Sequence, residues 1–446
     1  MQEENIVSIS TPLGKGAIAV VRMSGEGALQ TALKLFHCKD LTKECIQPRF
    51  MYLGNLQLEE DVFEQCLMVY FKAPFSYTGE DVIEFQVHGG VLLAQKVVEV
   101  CIKAGARLAE AGEFSKRAFL NGKITLDKAE AIIGEINADA EGELRSSLQV
   151  TNGKLAEKIS CEQSELTTLL AELEVGMDYP DETEETALKS DVHKKLQEIA
   201  DENAKILQVA ESGKYLKNGI NVALVGKTNV GKSSVMNALL GTNRAIVTNI
   251  QGTTRDCVSE SFVFEGVKIN LVDTAGIRQT EDVVESLGIE RSKESLKNAD
   301  LVLFVLDGSE NLAPEDIEIE KLLDGKNHII VINKTDKKRV LSKKENEIEI
   351  SAMQGKNINL LKQRVLDMVL SEKIDFNNLV LTNERQTQIL SDAQAILNEL
   401  LSTKSPTLDV LSMQIKKVWL TLGKITGNTE NEDIINLIFS KFCLGK

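Results

Sequence analysis

The run Gly226-Lys227-Thr228-Asn229-Val230-Gly231-Lys232-Ser233 follows directly on the apolar stretch Asn221-Val222-Ala223-Leu224-Val225. A strand that empties into a glycine-rich turn and then a helix is the local geometry of a phosphate cradle, because the glycines let successive backbone N–H groups turn inward on an anion. Lys232 adds a point charge and Ser233 a hydroxyl for Mg²⁺. The arrangement predicts an α/β domain that binds a nucleoside triphosphate.

Three further motifs follow in order. Asp273-Thr274-Ala275-Gly276 ends the apolar stretch Ile269-Asn270-Leu271-Val272, which places a carboxylate at a strand tip near the Mg²⁺ water shell and leaves Gly276 open to the third phosphate. Asn333-Lys334-Thr335-Asp336 follows Ile329-Ile330-Val331-Ile332. Asp336 can accept both the ring N–H and the exocyclic amine of guanine, a pair adenine cannot donate, so the expected nucleotide is GTP. Ser351-Ala352, with Met353 beside them, follow Ile348-Glu349-Ile350 where GTPases support the guanine carbonyl by backbone. Each motif alone also reads as a helix cap or a surface turn. Their joint order does not. The candidate nucleotide contacts are Asn229, Val230, Gly231, Lys232, Ser233 and Ser234, the loop Thr248, Asn249, Ile250, Gln251, Gly252, Thr253 and Thr254, and the residues just named.

One element of a Ras-like site is missing. The residue after Asp-x-x-Gly is commonly a glutamine that orients the attacking water, and here it is Ile277. Two substitutes are visible. Asn229 and the loop from Thr248 to Thr254 offer oxygens for a monovalent cation, potassium, where an arginine finger would reach. Glu285, in Glu281-Asp282-Val283-Val284-Glu285, can orient water through an intermediary or be an ordinary exposed glutamate. Lys232 and Glu285 are the catalytic candidates in this domain.

The chain has 446 residues, a net charge of -16 and a pI near 5.0. That length predicts two to four domains. The acidity argues against gripping nucleic acid by bulk charge, so contacts to RNA are expected to be shared with a partner. The cysteines Cys38, Cys45, Cys66, Cys101, Cys161, Cys257 and Cys443 form no CxxC pair, and no apolar span of membrane length or signal peptide is apparent. A cytoplasmic protein with reduced thiols and no membrane contact is expected.

The expected boundaries are an α+β domain over 1–120, helical segments over 121–212 and 379–446, and a Ras-like P-loop domain over 213–378. In the first domain Asn5–Thr11 and Ala17–Met23 flank a Gly-Pro turn as a hairpin, and Val82–Val87 alternates before a helix over Val91–Lys103 closed by Gly105. Helical faces are expected at Ala129, Ile132, Ile133 and Ile136, at Ile389, Ala393, Ile396, Leu397 and Leu400, and at Leu411, Ile415, Val418 and Leu422. Met177–Glu185 breaks the helical pattern with Pro180 and a cluster of acids. The two helical segments either form one discontinuous domain with the nucleotide domain inserted, the simpler reading, or two separate bundles.

These residues resemble one family over essentially the whole chain, the tRNA-modification GTPases of the MnmE (TrmE) type. The resemblance is carried by Thr11-Pro12-x-Gly14-x-Gly16, Arg22-Met23-Ser24-Gly25, Tyr77-Thr78-Gly79-Glu80-Asp81, Gly112-Glu113-Phe114-Ser115-x-Arg117-Ala118-Phe119-Leu120-Asn121, Gly252-Thr253-Thr254-Arg255-Asp256 and the tail Phe442-Cys443-Leu444-Gly445-Lys446. It implies a tetrahydrofolate-binding N-terminal α+β domain, a discontinuous all-α domain and an inserted G domain. It also implies a homodimer that works with an FAD-binding MnmG-type flavoprotein on tRNA. Together they would add an aminomethyl or carboxymethylaminomethyl group at carbon 5 of the wobble uridine, with 5-formyl- or 5,10-methylene-tetrahydrofolate as the one-carbon source.

By position, the resemblance assigns potassium to Asn229, Thr248, Ile250 (through its carbonyl) and Thr253, and Mg²⁺ to Ser233 and Thr254. Folate would meet Arg22, Glu84, Lys123 and Lys446. Glu84 also reads as a solvent-facing residue of an alternating strand. Cys443 is either a functional thiol or a small residue packed under the last helix. Thr228 replaces a common proline and Leu444 a common isoleucine, neither supplying a ligand atom. The principal alternative is a GTP-dependent RNA-binding or ribosome-assembly switch; an ATP-dependent kinase is opposed by Asp336.

Overall fold

The computed structural model describes residues 4–39, 45–179, 184–241, 260–273, 299–343, 347–370, 379–442 and 445. Strands and helices in the first third are β1 (Ile6–Ile9), β2 (Ile18–Ser24), α1 (Ala28–Leu35), β3 (Phe36–His37), β4 (Met51–Glu59), β5 (Val62–Phe71), β6 (Val82–His88), α2 (Val91–Lys103), β7 (Arg107–Leu108) and α3 (Glu113–Leu120). Four helices follow: α4 (Leu126–Asn137), α5 (Glu141–Thr151), α6 (Lys154–Asp178) and α7 (Glu185–Asn218). The next block is β8 (Ile220–Val225), α8 (Lys232–Leu240), β9 (Glu260–Phe264), β10 (Val267–Asp273), β11 (Leu301–Asp307), α9 (Pro314–Leu322), β12 (His328–Asn333), β13 (Glu347–Glu349) and α10 (Ile358–Val369). Helices α11 (Glu384–Ser402), α12 (Leu408–Thr426) and α13 (Glu432–Phe439) close the chain. The fold is multidomain α/β with a large helical component. No described helix is long and apolar enough to cross a membrane.

The chain divides into two compact units, one of Met1–Ile133, Val150–Tyr179 and Thr407–Lys446, the other of Gly134–Gln149 and Pro180–Pro406. In the first, the described strands form a sheet in the order β3-β4-β5-β6-β2-β1-β7. β1 and β2 make the expected hairpin, and β1 pairs in parallel with β7. Alternation sorts the faces of β2 and β6: Ala19, Val21, Met23, Ile83, Phe85 and Val87 are buried in a core with Ala28 and Ala32 of α1 and Val97 and Cys101 of α2. Arg22 and Glu84 fall on the opposite face. α2 ends, as the pattern predicts, at a left-handed glycine, Gly105, at φ 114°.

Sequence-distant helices complete this unit. α6 packs along α12, burying Leu155, Ile159, Leu166, Leu169 and Leu173 on one side and Leu411, Ile415, Val418 and Leu422 on the other. The Gln163 amide donates to the Trp419 carbonyl at 3.0 Å. Leu126, Ala129, Ile435, Phe439 and Phe442 form a separate apolar cluster. The face expected on α4 holds only in part: Ala129 is buried, whereas Ile136, in the last turn, is 47% exposed.

In the second unit the described sheet runs β13-β12-β11-β8-β10-β9, parallel except for the edge strand β9. Every residue of β11 is buried, as a strand covered on both faces requires. α7 packs against α11, whose Ile389, Ala393, Leu397 and Leu400 are buried while Ile396 is only half-buried. Gly213 of α7 lies so close to the Leu381 carbonyl that no Cβ fits there. The Ser146 hydroxyl of α5 donates to the Val380 carbonyl at 2.6 Å, fixing the same segment from a second helix. The helical break expected at Met177–Glu185 falls between α6 and α7.

Candidate functional site

Two sites emerge, one in each unit. The first is the turn between β8 and α8. Its backbone takes left-handed conformations at Asn229 (φ 65°) and Gly231 (φ 96°), and Gly226 sits at φ 152°. A Cβ on Gly226 would enter the Val305 carbonyl, and one on Gly231 would lie 2.5 Å from the Asn333 amide nitrogen. Only glycine fits at either point. Gly231 caps α8 without a side-chain acceptor, so the first-turn N–H groups remain directed at the loop. The Lys232 ammonium curls back onto the Gly226 and Lys227 carbonyls at 2.7 and 2.8 Å. Ser233 and Ser234 are exposed on the first turn of α8.

The loop after β12 holds this turn. The buried Asn333 amide donates to the Val230 carbonyl at 3.0 Å and its oxygen accepts from the Ala352 backbone at 3.1 Å. Lys334 donates to the Asn229 carbonyl at 2.8 Å and to Asp307 Oδ2 at 2.6 Å. Asp336 is exposed, and its Oδ1 accepts from the Ser351 hydroxyl at 2.7 Å. That hydrogen bond, with help from its own backbone N–H, holds the Asp336 carboxyl below its usual range. It therefore stays an anion able to accept a pair of N–H donors. Ser351 is fully buried and Met353 is 91% exposed beside it. Asn229 is itself exposed on the turn.

The second site lies on the face of the N-terminal sheet turned away from α1 and α2. Arg22 and Glu84 are register partners there, and both Nε and Nη2 of Arg22 reach Glu84 Oε1, at 2.9 and 2.8 Å. The guanidinium also lies 5.4 Å from the Tyr77 ring centroid and 5.9 Å from that of Phe114. Three motifs separated in sequence close around it. Ser24 bonds Thr78 and Glu80, each at 2.7 Å; Arg117 bonds Glu80 at 3.1 Å and Glu113 at 3.0 Å; Tyr77 meets Ser115 at 2.8 Å. Burial would raise the Glu113 carboxyl, but donors from Arg107, the Glu110 backbone and Arg117 outweigh it and bring it down to about 2. Lys123 is exposed, with its Cε near the left-handed Gly79.

The C-terminal segment comes to the same unit. Phe439 and Phe442 pack on Gly112, where any Cβ would collide with the Phe439 carbonyl. Gly445, at φ 92°, accepts a hydrogen bond from Ser10 at 3.1 Å at the end of β1. The tail thus reaches the sheet that carries Arg22 and Glu84.

Several sequence candidates lie outside the described residues: Thr248, Asn249, Ile250, Gln251, Gly252, Thr253, Thr254, Thr274, Ala275, Gly276, Ile277, Glu285, Cys443 and Lys446. For Asp273 the strand position is described, at the end of β10 beside β8. Motif reading missed Asp307, although it ends an apolar strand just as Asp273 does. It also missed Tyr77 and Phe114 as ring neighbours of Arg22, because that contact depends on how the Tyr77–Asp81 loop meets α3.

Residues 126–443 match the family model described as MnmE helical domain, and residues 5–123 match GTP-binding protein TrmE N-terminus. The chain is 41% identical over 458 aligned positions to a tRNA modification GTPase MnmE of Clostridioides difficile, covering 100% of this chain and 99% of that protein. It is 38% identical to proteins of the same name from Aquifex aeolicus, covering 99% of this chain and 100% of that one, and from Streptococcus pneumoniae, covering 99% of each. With agreement end to end, through both sheets and the helices that join them, the chain belongs to the MnmE family of tRNA modification GTPases.

Proposed function

We propose that this protein binds and hydrolyses GTP as one component of the machinery that modifies the wobble uridine of tRNA. The observation that carries the nucleotide half is the double tie from Asn333 and Lys334 to the Val230 and Asn229 carbonyls. It sets the base-reading loop and the phosphate turn as one rigid cradle, with Asp336 kept ionised for guanine. Lys232 and the N–H groups at the start of α8 receive the phosphates, with Ser233 and Thr254 as the Mg²⁺ ligands. Asn229, Thr248, Ile250 and Thr253 would hold potassium, which supplies positive charge where Ile277 offers none, and Glu285 would orient water.

The folate half rests on Arg22 and Glu84. A planar heterocycle with paired N–H donors suits the Glu84 carboxylate, while Arg22, Lys123 and Lys446 suit an anionic glutamate tail. Folate supplies a one-carbon unit; the chain's own part is to bind it and keep it near the C-terminal tail. We further propose a homodimer acting in the cytoplasm with an FAD-binding flavoprotein on tRNA, the product carrying a (carboxymethyl)aminomethyl group at carbon 5.

GTP turnover by the full chain in potassium and then in sodium tests the cation assignment, and equal rates would sink it. Analysis of wobble nucleosides in tRNA from cells lacking the protein tests the pathway assignment; an unchanged modification profile would favour a GTP-dependent RNA-binding or ribosome-assembly switch instead. That second reading also gains if the full chain fails to bind a reduced folate.

A further inference from the structure

The nucleotide cradle contains a buried acid outside the four motifs. Asp307 ends β11 opposite Asn333 on β12 and is 5% exposed. Its Oδ1 accepts from the backbone and hydroxyl of Ser309, at 2.9 and 2.7 Å, which fixes the carboxylate plane. Its Oδ2 accepts from the Lys334 ammonium at 2.6 Å. Burial would raise this carboxyl, but the Lys334 and Ser309 donors outweigh burial and hold it below its usual range.

The same ammonium donates to the Asn229 carbonyl at 2.8 Å. A carboxylate on β11, a cation after β12 and a carbonyl of the phosphate turn therefore form one continuous chain of contacts. Both Lys334, at φ 63°, and Asn229, at φ 65°, adopt left-handed backbone. Residues with a Cβ persist there only when their surroundings over-determine them. Lys334 without an anion would be a flexible side chain free to leave the Asn229 carbonyl for water.

We propose that Asp307 is a positioning residue of the guanine-nucleotide site: its carboxylate holds Lys334 against the Asn229 carbonyl and thereby fixes the turn that receives the phosphates. This rests on the nucleotide reading above. The competing role is purely local, a strand-tip acid that caps the Gly308–Glu310 turn and matters to stability alone.

The test is the dissociation constant of a fluorescent GDP analogue for the full chain, read beside the melting temperature of the nucleotide-free protein. Asp307→Asn keeps the shape and removes the charge; it should weaken binding roughly tenfold to a hundredfold, the range for a hydrogen bond to a charged group. Lys334→Met should cost a similar factor, and the double variant no more than Lys334→Met alone, because both act through one contact. Binding by Asp307→Asn within about twofold of wild type, or losses that multiply in the double variant, would overturn the proposal. If Asp307→Asn does not fold, Ser309→Ala replaces it, removing one donor to Oδ1. Its loss of affinity should vanish in the Lys334→Met background, and a loss that persists there rejects the link. A wild-type chain that binds no guanine nucleotide removes the underlying reading, a result distinct from either variant's behaviour.

Discussion

Arg22 and Glu84 stand directly opposite each other on antiparallel strands, with two guanidinium nitrogens on a single carboxylate oxygen at 2.9 and 2.8 Å. Two of the four residues expected to meet folate therefore neutralise each other, and Oε2 of Glu84 is left without a hydrogen bond among the described residues. A ligand that donates two N–H groups to Glu84 must share or displace Arg22. Glu84→Gln should weaken binding of 5-formyltetrahydrofolate to the full chain by tenfold or more in a calorimetric titration. It should also cost about 1–3 kcal/mol of stability, because Arg22 loses its anion in a mostly covered position. Unchanged affinity would remove Glu84 from the ligand site.

The tail contact at Gly445 is equally specific. Its left-handed φ of 92° and its approach to the Ile9 carbonyl exclude a side chain. Gly445→Ala should leave the melting temperature within about a degree, since a terminal residue carries little of the core. It should release the tail, seen as faster digestion by a carboxypeptidase and weaker folate binding. Wild-type digestion rates would show that the tail does not depend on this contact.

Gly213→Ala reverses an ordinary rule. In an exposed helix the change stabilises by about 1 kcal/mol. On α7 the new methyl would enter the Leu381 carbonyl, so a loss of about 1–3 kcal/mol is expected, as for overpacking. The midpoint of urea unfolding measures it, and a rise would show that the segment leading into α11 yields freely.

Glu143 makes the second unit sensitive to pH. Burial, with a smaller push from the Asp139 charge, raises this carboxyl on α5 from 4.5 to about 7, outweighing the lowering by the Asp139 backbone N–H and by Lys217 and Lys268. The facing charges are Asp139, whose backbone N–H bonds Glu143 at 3.3 Å, together with Lys217 of α7 and Lys268 of β10. Because the folded chain holds this proton more tightly than the unfolded one, the stabilisation is complete below about 4.5 and is lost as pH rises through about 7. The shift corresponds to roughly 3 kcal/mol at most. Glu143→Gln should flatten the stability profile between pH 5 and pH 8 and raise the melting temperature at pH 8. A profile as steep as that of the wild type would assign the dependence to another group.

Much of the nucleotide cradle was legible because its chemistry is written locally. The spacing from Gly226 to Ser233 specifies a strand, a turn and a helix start in one run of chain, and β12 ends at Asn333, where the continuous apolar run Ile329 to Ile332 stops. The buried faces of α11 and α12 followed from helical periodicity for the same reason, apart from the half-buried Ile396. Ile136 did not follow, because periodicity reports which residues share a face and not how far along the helix that face is covered. Asp307 carried the signal of a strand-tip acid, yet nothing local tells a turn-capping acid from one that reaches Lys334.

The sequence by itself determined the kinds of domain, the order of the motifs and the family, since each depends on residues close together in the chain. Tertiary structure alone decided that Arg22 faces Glu84, that α6 pairs with α12 and α7 with α11, that the tail meets Ser10, and that Lys334 joins Asp307 to Asn229. Those contacts are set by strand register and helix packing between residues tens to hundreds of positions apart. Local propensity says nothing about which of many compatible partners is brought within hydrogen-bonding distance.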